Sequence, residues 1–369
     1  MAPQELTWKQ AAAWRARRHW LDERRPCADP VAVASAIGGL HAQVMSSAEL
    51  SVWARADGLP PGAGVAQALW DDRTLVKTWA MRGTLHLLAT TEYRTFQAAL
   101  SQRRHYFTAS WLRGFGLTAD EMSHILETVP KALRGQLLTR EGLAAAVSPK
   151  VATSWGSLLK PSAFRGELCF GPNAGQNVRF THPETWLDLG PPAEPEHAAR
   201  CVTRRYLAAY GPATRVDYAH WWGGLSPAQA GKLIAALGDE VVAVDVDGVP
   251  HWMPAGVEPD ELAPLKTVRL LPAFDPYVIN ASPHAEHLLP APEHRKKVFR
   301  PQGWLSPVLL VGGLLQGLWR SERTGSRVVV RIEPFLPLPA WARKAAETEA
   351  ERLAAFLGGE LDLRLADPG

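Results

Sequence analysis

The sequence predicts an α+β protein: three tandem units of helices followed by a β-hairpin, then a small β-rich, barrel-like domain with a terminal helix. Three observations predict it. The hydrophobic period switches three times from a helical repeat to short β-branched runs that flank a turn. From about Gly256 the pattern becomes closely spaced short strands. An Ala-rich amphipathic stretch over 339–356, opened by a proline in its first turn, reads as one closing helix.

In order, Thr7 is the N-cap of a helix expected over 7–24, with Ala11, Trp14 and Trp20 on one face. A second helix, 30–37, is closed by the pair Gly38-Gly39. Short helical pieces follow at 49–56 and 64–70. Runs at 75–79 and 84–88 around Met81-Arg82-Gly83 then form a hairpin. Helices followed by a twisted hairpin is the order of a winged helix. The order recurs: an Arg-rich helix over 92–111, a capping box from Thr118 to Glu121, helices to about 147 and over 154–159, and a hairpin of 166–170 with 177–180. Residues 191–195 read as a linker. The third unit holds helices at 196–210, 216–222 (capped by Thr214) and 226–237, with a hairpin around Asp247-Gly248. Strands are expected at 268–271, 298–299, 308–311, 315–320 and 327–332. The corresponding domains are 1–115, 116–195, 196–255 and 256–369, an internal repeat of architecture with little residue identity between copies.

At 369 residues, 46% hydrophobic and 21% charged, the chain is core-forming and long enough for several domains. Cys27, Cys169 and Cys201 are widely spaced, which excludes a disulfide framework or zinc finger and suits a reducing cytoplasm. No signal-like start and no membrane-length apolar run is present, so a soluble cytoplasmic protein is expected. Net charge is only +3, but the 40 basic residues cluster. Clusters form at Arg15, Arg17 and Arg18; Arg103, Arg104 and His105; Arg204-Arg205; His294-Arg295-Lys296-Lys297 with Arg300; and Arg320, Arg323 and Arg327. Basic clusters interleaved with Trp and Phe suit a surface that tracks phosphates, although each cluster alone also reads as a solvated face.

The chemistry centres on His41 and Gln43, two residues apart after the glycine pair and flanked by apolar Leu40, Ala42 and Val44. In extended or turn-like backbone such residues project to one side. A neutral imidazole accepts a proton from water, and an amide oxygen orients that water or stabilises nearby positive charge. The same residues also read as a capping histidine and a surface glutamine. A metallohydrolase is disfavoured, because the 12 histidines include no HExxH and no clustered ligand set.

An ordered series of motifs carries a resemblance over nearly the whole chain. It runs from Gly39-Leu40-His41-Ala42-Gln43 through Thr78-Trp79-Ala80-Met81-Arg82-Gly83-Thr84-Leu85-His86 to Tyr210-Gly211-Pro212-Ala213-Thr214 with Asp217 and Trp221-Trp222-Gly223. It continues with Leu271-Pro272-Ala273-Phe274-Asp275-Pro276-Tyr277, Val298-Phe299-Arg300-Pro301-Gln302-Gly303-Trp304 and Gly317-Leu318-Trp319-Arg320. Together these resemble the winged-helix DNA glycosylases of the AlkZ and YcaQ type. The resemblance implies three winged helices and a β-rich domain curved around duplex DNA. It also implies a monofunctional glycosylase for alkylated, N7-alkyl purines, with an open cleft tolerating bulky adducts and interstrand crosslinks.

In that family the catalytic pattern is polar, apolar, then Gln or Asp: the AlkZ branch has Gln twice, the YcaQ branch Gln then Asp. Here His41 departs at the first position, while Gln43 follows the AlkZ branch. The resemblance places Arg82, Thr84 and His86 on the first wing near this pair, where they equally read as turn and strand residues. Asp275 and Tyr277 shape the active side of the cleft or build a turn around Pro276. Arg295, Lys296, Lys297, Arg300, Trp304 and Arg320 are candidates for DNA contact, with Trp319 in the core. No lysine stands in the catalytic motif, which argues against a Schiff-base lyase. No cofactor or metal is implied, no membrane is involved, and a monomer acting on double-stranded DNA with alkylated purines is expected. Its role would be general repair or self-resistance to a genotoxin. A non-catalytic winged-helix DNA-binding protein, a regulator or lesion-sequestering factor, is the competing reading; it lacks visible heptads for a dimer.

Overall fold

The computed structural model describes residues 4–26, 29–59, 61–103, 105–154 and 156–367, and these form two compact units. The first comprises the chain up to Val65, Arg205–Asp217 and everything from Leu237 on; the second comprises Ala66–Arg204 and Tyr218–Ala236. Cys27 and Arg104 lie outside the described residues. Among the described residues, no helix is long and apolar enough to cross a membrane.

In the first unit, helix Trp8–Arg18 is opened by the capping box of Thr7 and Gln10 and buries Ala11 and Trp14 as expected. It stops well short of residue 24. Trp20 takes left-handed backbone at φ 55°, and the Leu21 N–H returns to Ala16 O at 2.8 Å, a helix ending made without glycine. Helix Pro30–Ala36, capped by Asp29, ends as the sequence requires. Gly39 N–H donates to Ala34 O at 2.8 Å and Gly38 N–H to Ser35 O, with both glycines at positive φ. This 6→1 and 5→2 pairing needs a residue free of a Cβ penalty, which the glycine pair supplies. Helix Met45–Trp53 starts four residues earlier than expected.

The hairpin of Val241–Val246 with Val249–Pro254 turns through Asp247 and Gly248, both at positive φ. A third strand, Gln4–Leu6, joins it in parallel, an addition absent from the expected elements. The C-terminal part is a five-stranded sheet in the order Val268–Leu271, Val308–Val311, Leu314–Thr324, Arg327–Pro334 and Glu360–Leu365. Its last strand pairs in parallel after the crossover helix Ala340–Phe356. That helix buries Ala342, Ala346, Ala350 and Leu353, one stripe at helical spacing, against the unit's core. The strand expected at 298–299 is instead the end of a helical turn, Arg295–Val298. Phe299 N–H bonds to Arg295 O at 2.8 Å, leaving only one bridge, to Leu305. One core runs through the unit, from Trp14 and Trp53 to Leu270, Leu309, Val330 and Leu353, each side chain contributing about 1.5–3 kcal/mol by burial.

In the second unit, Leu75–Trp79 and Leu85–Ala89 form the expected hairpin across the turn Met81–Gly83. A second hairpin, Cys169–Ala174 with Asn177–Thr181, gains a third strand, Leu138–Thr139. Helix Ala119–Leu133 opens with the Thr118–Glu121 capping box. The helix expected over 92–111 breaks after Leu100, and a shorter one, Ala109–Gly114, follows. The break frees Arg103 to donate to the carbonyls of Ala80 and Gly223, at 3.3 and 2.7 Å.

Candidate active site

The Schellman ending of Pro30–Ala36 delivers the chain into a two-residue strand, Leu40–His41. Leu40 and Ala42 are fully buried and anchor this segment. His41 is 6% exposed, its imidazole stacked on Phe274 with ring centres 5.4 Å apart and planes 19° from parallel. Gln43, two residues on, is exposed just before helix Met45–Trp53. Phe274 in turn meets the exposed ring of Trp304 edge-on at 5.0 Å. A held imidazole, an outward carboxamide and an exposed indole therefore belong to the same unit. Phe274 carries φ 59°, a left-handed conformation costing a bulky residue about 1–2 kcal/mol. Such strain persists only where the surroundings over-determine it.

Those surroundings are buried and polar. Asp275 accepts both guanidinium nitrogens of Arg55, at 2.7 and 2.8 Å, and both side chains are fully buried. Asp275 also accepts the Tyr277 N–H at 2.9 Å, capping helix Pro276–Ala281. Arg55 reaches His19 Nδ1 at 3.4 Å, and the His19 ring packs edge-on against Tyr210 and Tyr277. Burial, then the charges of Arg55 and Arg15, push the His19 imidazole well below its ordinary range. Tyr210 closes the chain of contacts by donating its hydroxyl to Ile37 O at 2.8 Å, at the helix end that leads into His41. Thus the Tyr210 and Asp275 motifs brace the His41 segment and Phe274 from beneath.

This placement corrects two expectations. Asp275 and Tyr277 are buried, the tyrosine hydroxyl donating to Gly313 O at 2.7 Å, so they support the site instead of presenting a DNA-facing surface. His86 is likewise only 3% exposed, its Nδ1 3.0 Å from Thr84 O, so it is a strand residue turned inward. In the Arg15 cluster only Arg15 is buried, while Arg17 is half-buried and Arg18 exposed; Arg15 donates to Gly211 O, Arg17 to Glu261 O and Arg18 to Ala208 O. Each of the three guanidinium groups donates to at least one backbone carbonyl.

In the second unit, half-buried Arg82 sits at φ 54° and donates to Trp221 O at 3.0 Å. A Cβ on Gly223 would lie 2.6 Å from the Arg82 Cα, which is why glycine follows the two tryptophans. The half-buried Thr84 hydroxyl bonds Met81 O within the turn. Arg82, Arg103, His105 and Lys160 line a cavity of about 320 Å³ that no sequence motif announces. Burial, then the neighbouring Arg82, lowers Arg103 to about 10. Back in the first unit, Arg295, Lys296, Lys297, Arg300 and Arg320 are all exposed. Arg320 pairs with Glu333 at 3.4 Å, while Trp319 is core and donates to Leu271 O.

The fold and the likeness to known proteins define a DNA glycosylase, an enzyme hydrolysing N-glycosyl bonds. The chain belongs to the AlkZ-like DNA glycosylase family, whose model, described as DNA glycosylase AlkZ-like, matches residues 34–356. It is 36% identical to the interstrand DNA cross-link repair glycosylase of Streptomyces sahachiroi over 371 residues, covering 96% of this chain and 97% of that protein. The solved structure of Streptomyces sahachiroi DNA glycosylase AlkZ superposes with a TM-score of 0.87 at 35% identity, over 98% of this chain and 100% of that one.

Proposed function

We propose that the chain hydrolyses the N-glycosidic bond of N7-alkylated purines in duplex DNA, bulky adducts and interstrand crosslinks included, with His41 and Gln43 as the catalytic pair. The observation that carries this reading is the His41 ring held against Phe274 with Gln43 exposed two residues on. An N7-alkylated purine is cationic, so the C1′–N9 bond breaks with its electron pair neutralising the base, and little leaving-group protonation is needed. The sugar passes through oxocarbenium character. Gln43 faces that charge with its amide oxygen and orients the water. His41 takes the proton as the water oxygen bonds C1′. The product is an abasic site, and the absence of a lysine in the motif leaves the strand uncut. The crosslink reading is supported by the Streptomyces sahachiroi relative, an interstrand DNA cross-link repair glycosylase.

Exposed Trp304 offers a face for an unstacked or adducted base, and Arg295, Lys296, Lys297, Arg300 and Arg320 offer charge to phosphates. Arg82 and Thr84 are proposed to act at the first hairpin of the other unit. Duplexes carrying 7-methylguanine, a bulky N7 adduct or an N7–N7 interstrand crosslink test the substrate range. Base release followed by alkali-dependent strand cleavage supports the proposal. Tight binding without release from all three substrates would overturn it and leave the non-catalytic binder as the better account.

A further inference from the structure

Three side chains far apart in sequence converge in the first unit. Asp217 lies in the first turn of helix Arg215–Trp222, His251 on strand Val249–Pro254, and His284 on the turn Ser282–His284. One potential ligand atom from each lies within 4.8 Å of the other two, and all three residues are at most 9% exposed. From this cluster we infer a binding site for one divalent transition-metal ion of the zinc class, a staple tying these three segments together.

The polar network leaves one buried acceptor over, the His251 Nε2, which a cation would satisfy. His251 Nδ1 is 2.7 Å from Val249 O, an acceptor only, so the proton sits on Nδ1 and the Nε2 lone pair is free. That Nε2 is buried and has no hydrogen-bond partner among the described residues. A carbonyl behind the ring is the arrangement that fixes a metal-bound imidazole. Asp217 spends Oδ2 on the Thr214 N–H and hydroxyl, at 2.7 and 2.8 Å, which locks the carboxylate. Its Oδ1 pairs with His284 Nε2 at 2.8 Å, so the carboxylate already holds one imidazole where a shared cation would take both. Trp8 walls the cluster, contacting the His284 ring at 4.5 Å and the edge of His251 at 5.6 Å.

Two imidazoles and one carboxylate suit Zn²⁺ and its late first-row neighbours. Zinc bonds of about 2.0–2.2 Å place tetrahedral ligand atoms a little over 3 Å apart, so the ligands need move only modestly. A cavity of about 20 Å³ borders Asp217 and His284, room for about one water as fourth ligand. The ion's role is structural, since all three ligands are buried and Asp217 and His251 are braced by backbone groups.

The test uses full-length, tag-free protein stripped with chelator and then titrated with Zn²⁺, reading retained zinc and thermal melting. One zinc per chain and a rise in melting temperature are expected. His251→Gln and His284→Ala should each weaken zinc binding by more than the roughly 10–100-fold that outer-shell changes cost, while His124→Ala leaves it intact. Co²⁺ loaded into the unaltered protein gives an independent reading: visible absorption of a four-coordinate site, displaced by Zn²⁺, is expected. Wild-type protein retaining no zinc and giving no such spectrum would overturn the inference. So would retention unchanged in both ligand variants.

Discussion

Removing the Asp275 carboxylate isolates the support beneath Phe274. Asp275→Ala leaves the Arg55 guanidinium, fully buried, with only Ser51 O at 2.9 Å and His19 Nδ1 at 3.4 Å among the described residues. An orphaned buried charge costs about 3–5 kcal/mol, and loss of the cap on helix Pro276–Ala281 adds about 1 kcal/mol. The expected destabilisation is therefore about 4 kcal/mol or more, a large part of a domain's stability. Arg55→Met should cost a similar amount by orphaning the carboxylate. The double variant Arg55→Met/Asp275→Ala removes both charges, so it should be less destabilised than the sum of the singles by about 2 kcal/mol or more. Urea unfolding followed by far-ultraviolet circular dichroism measures all three. If Asp275→Ala unfolds within about 1 kcal/mol of wild type, or the two changes simply add, the ion pair does not hold the site and the reasoning fails.

Stability should also fall with acid through His19. Its folded imidazole is held below the ordinary range, so near pH 6.5 the unfolded chain binds the extra proton. The stability is present above about pH 6.5 and lost below it, by about 1.4 kcal/mol per pH unit until the folded group titrates. His19→Gln should flatten that slope in unfolding measurements, and an unchanged slope would contradict the assignment. Trp304→Ala, at an exposed position, should change stability by no more than about 1 kcal/mol but weaken binding of adducted DNA about 5-fold to 150-fold in fluorescence anisotropy. Lys296→Ala/Lys297→Ala should reduce the slope of log affinity against log salt by about 2, read in the same assay, with no change in fold.

Much of this architecture is legible in the sequence because it is written in local chemistry. Thr118 with Glu121, Gly38-Gly39 and Asp247-Gly248 each specify one backbone event, and each occurs where the pattern puts it. Other features depend on distant partners. Trp20 ends its helix in left-handed backbone with no glycine to announce it. Strands Gln4–Leu6 and Glu360–Leu365 are set by the strands beside them. Basic clusters divide only on folding: Arg15, Arg17, Arg18 and Arg103 donate to carbonyls that only the folded chain brings near, while Arg295, Lys296, Lys297 and Arg300 are exposed. The position of the catalytic candidates follows from the motif, but their support does not. Phe274 behind His41, the Arg55–Asp275 pair, and the convergence of Asp217, His251 and His284 join residues up to hundreds of positions apart. No spacing rule reaches that far.

The measurement that bears most directly on the catalytic claim is the single-turnover rate of 7-methylguanine release from duplex DNA, for wild type, Gln43→Ala and His41→Ala, with DNA affinity determined alongside. The account predicts excision by wild type and a loss of about 100-fold or more in Gln43→Ala, the scale of one removed charge-stabilising group, with affinity for the damaged duplex retained. His41→Ala should fall by about 100-fold, within the range of a lost general base. Equal rates in wild type and Gln43→Ala at equal affinity would contradict it and move the chemistry away from this pair.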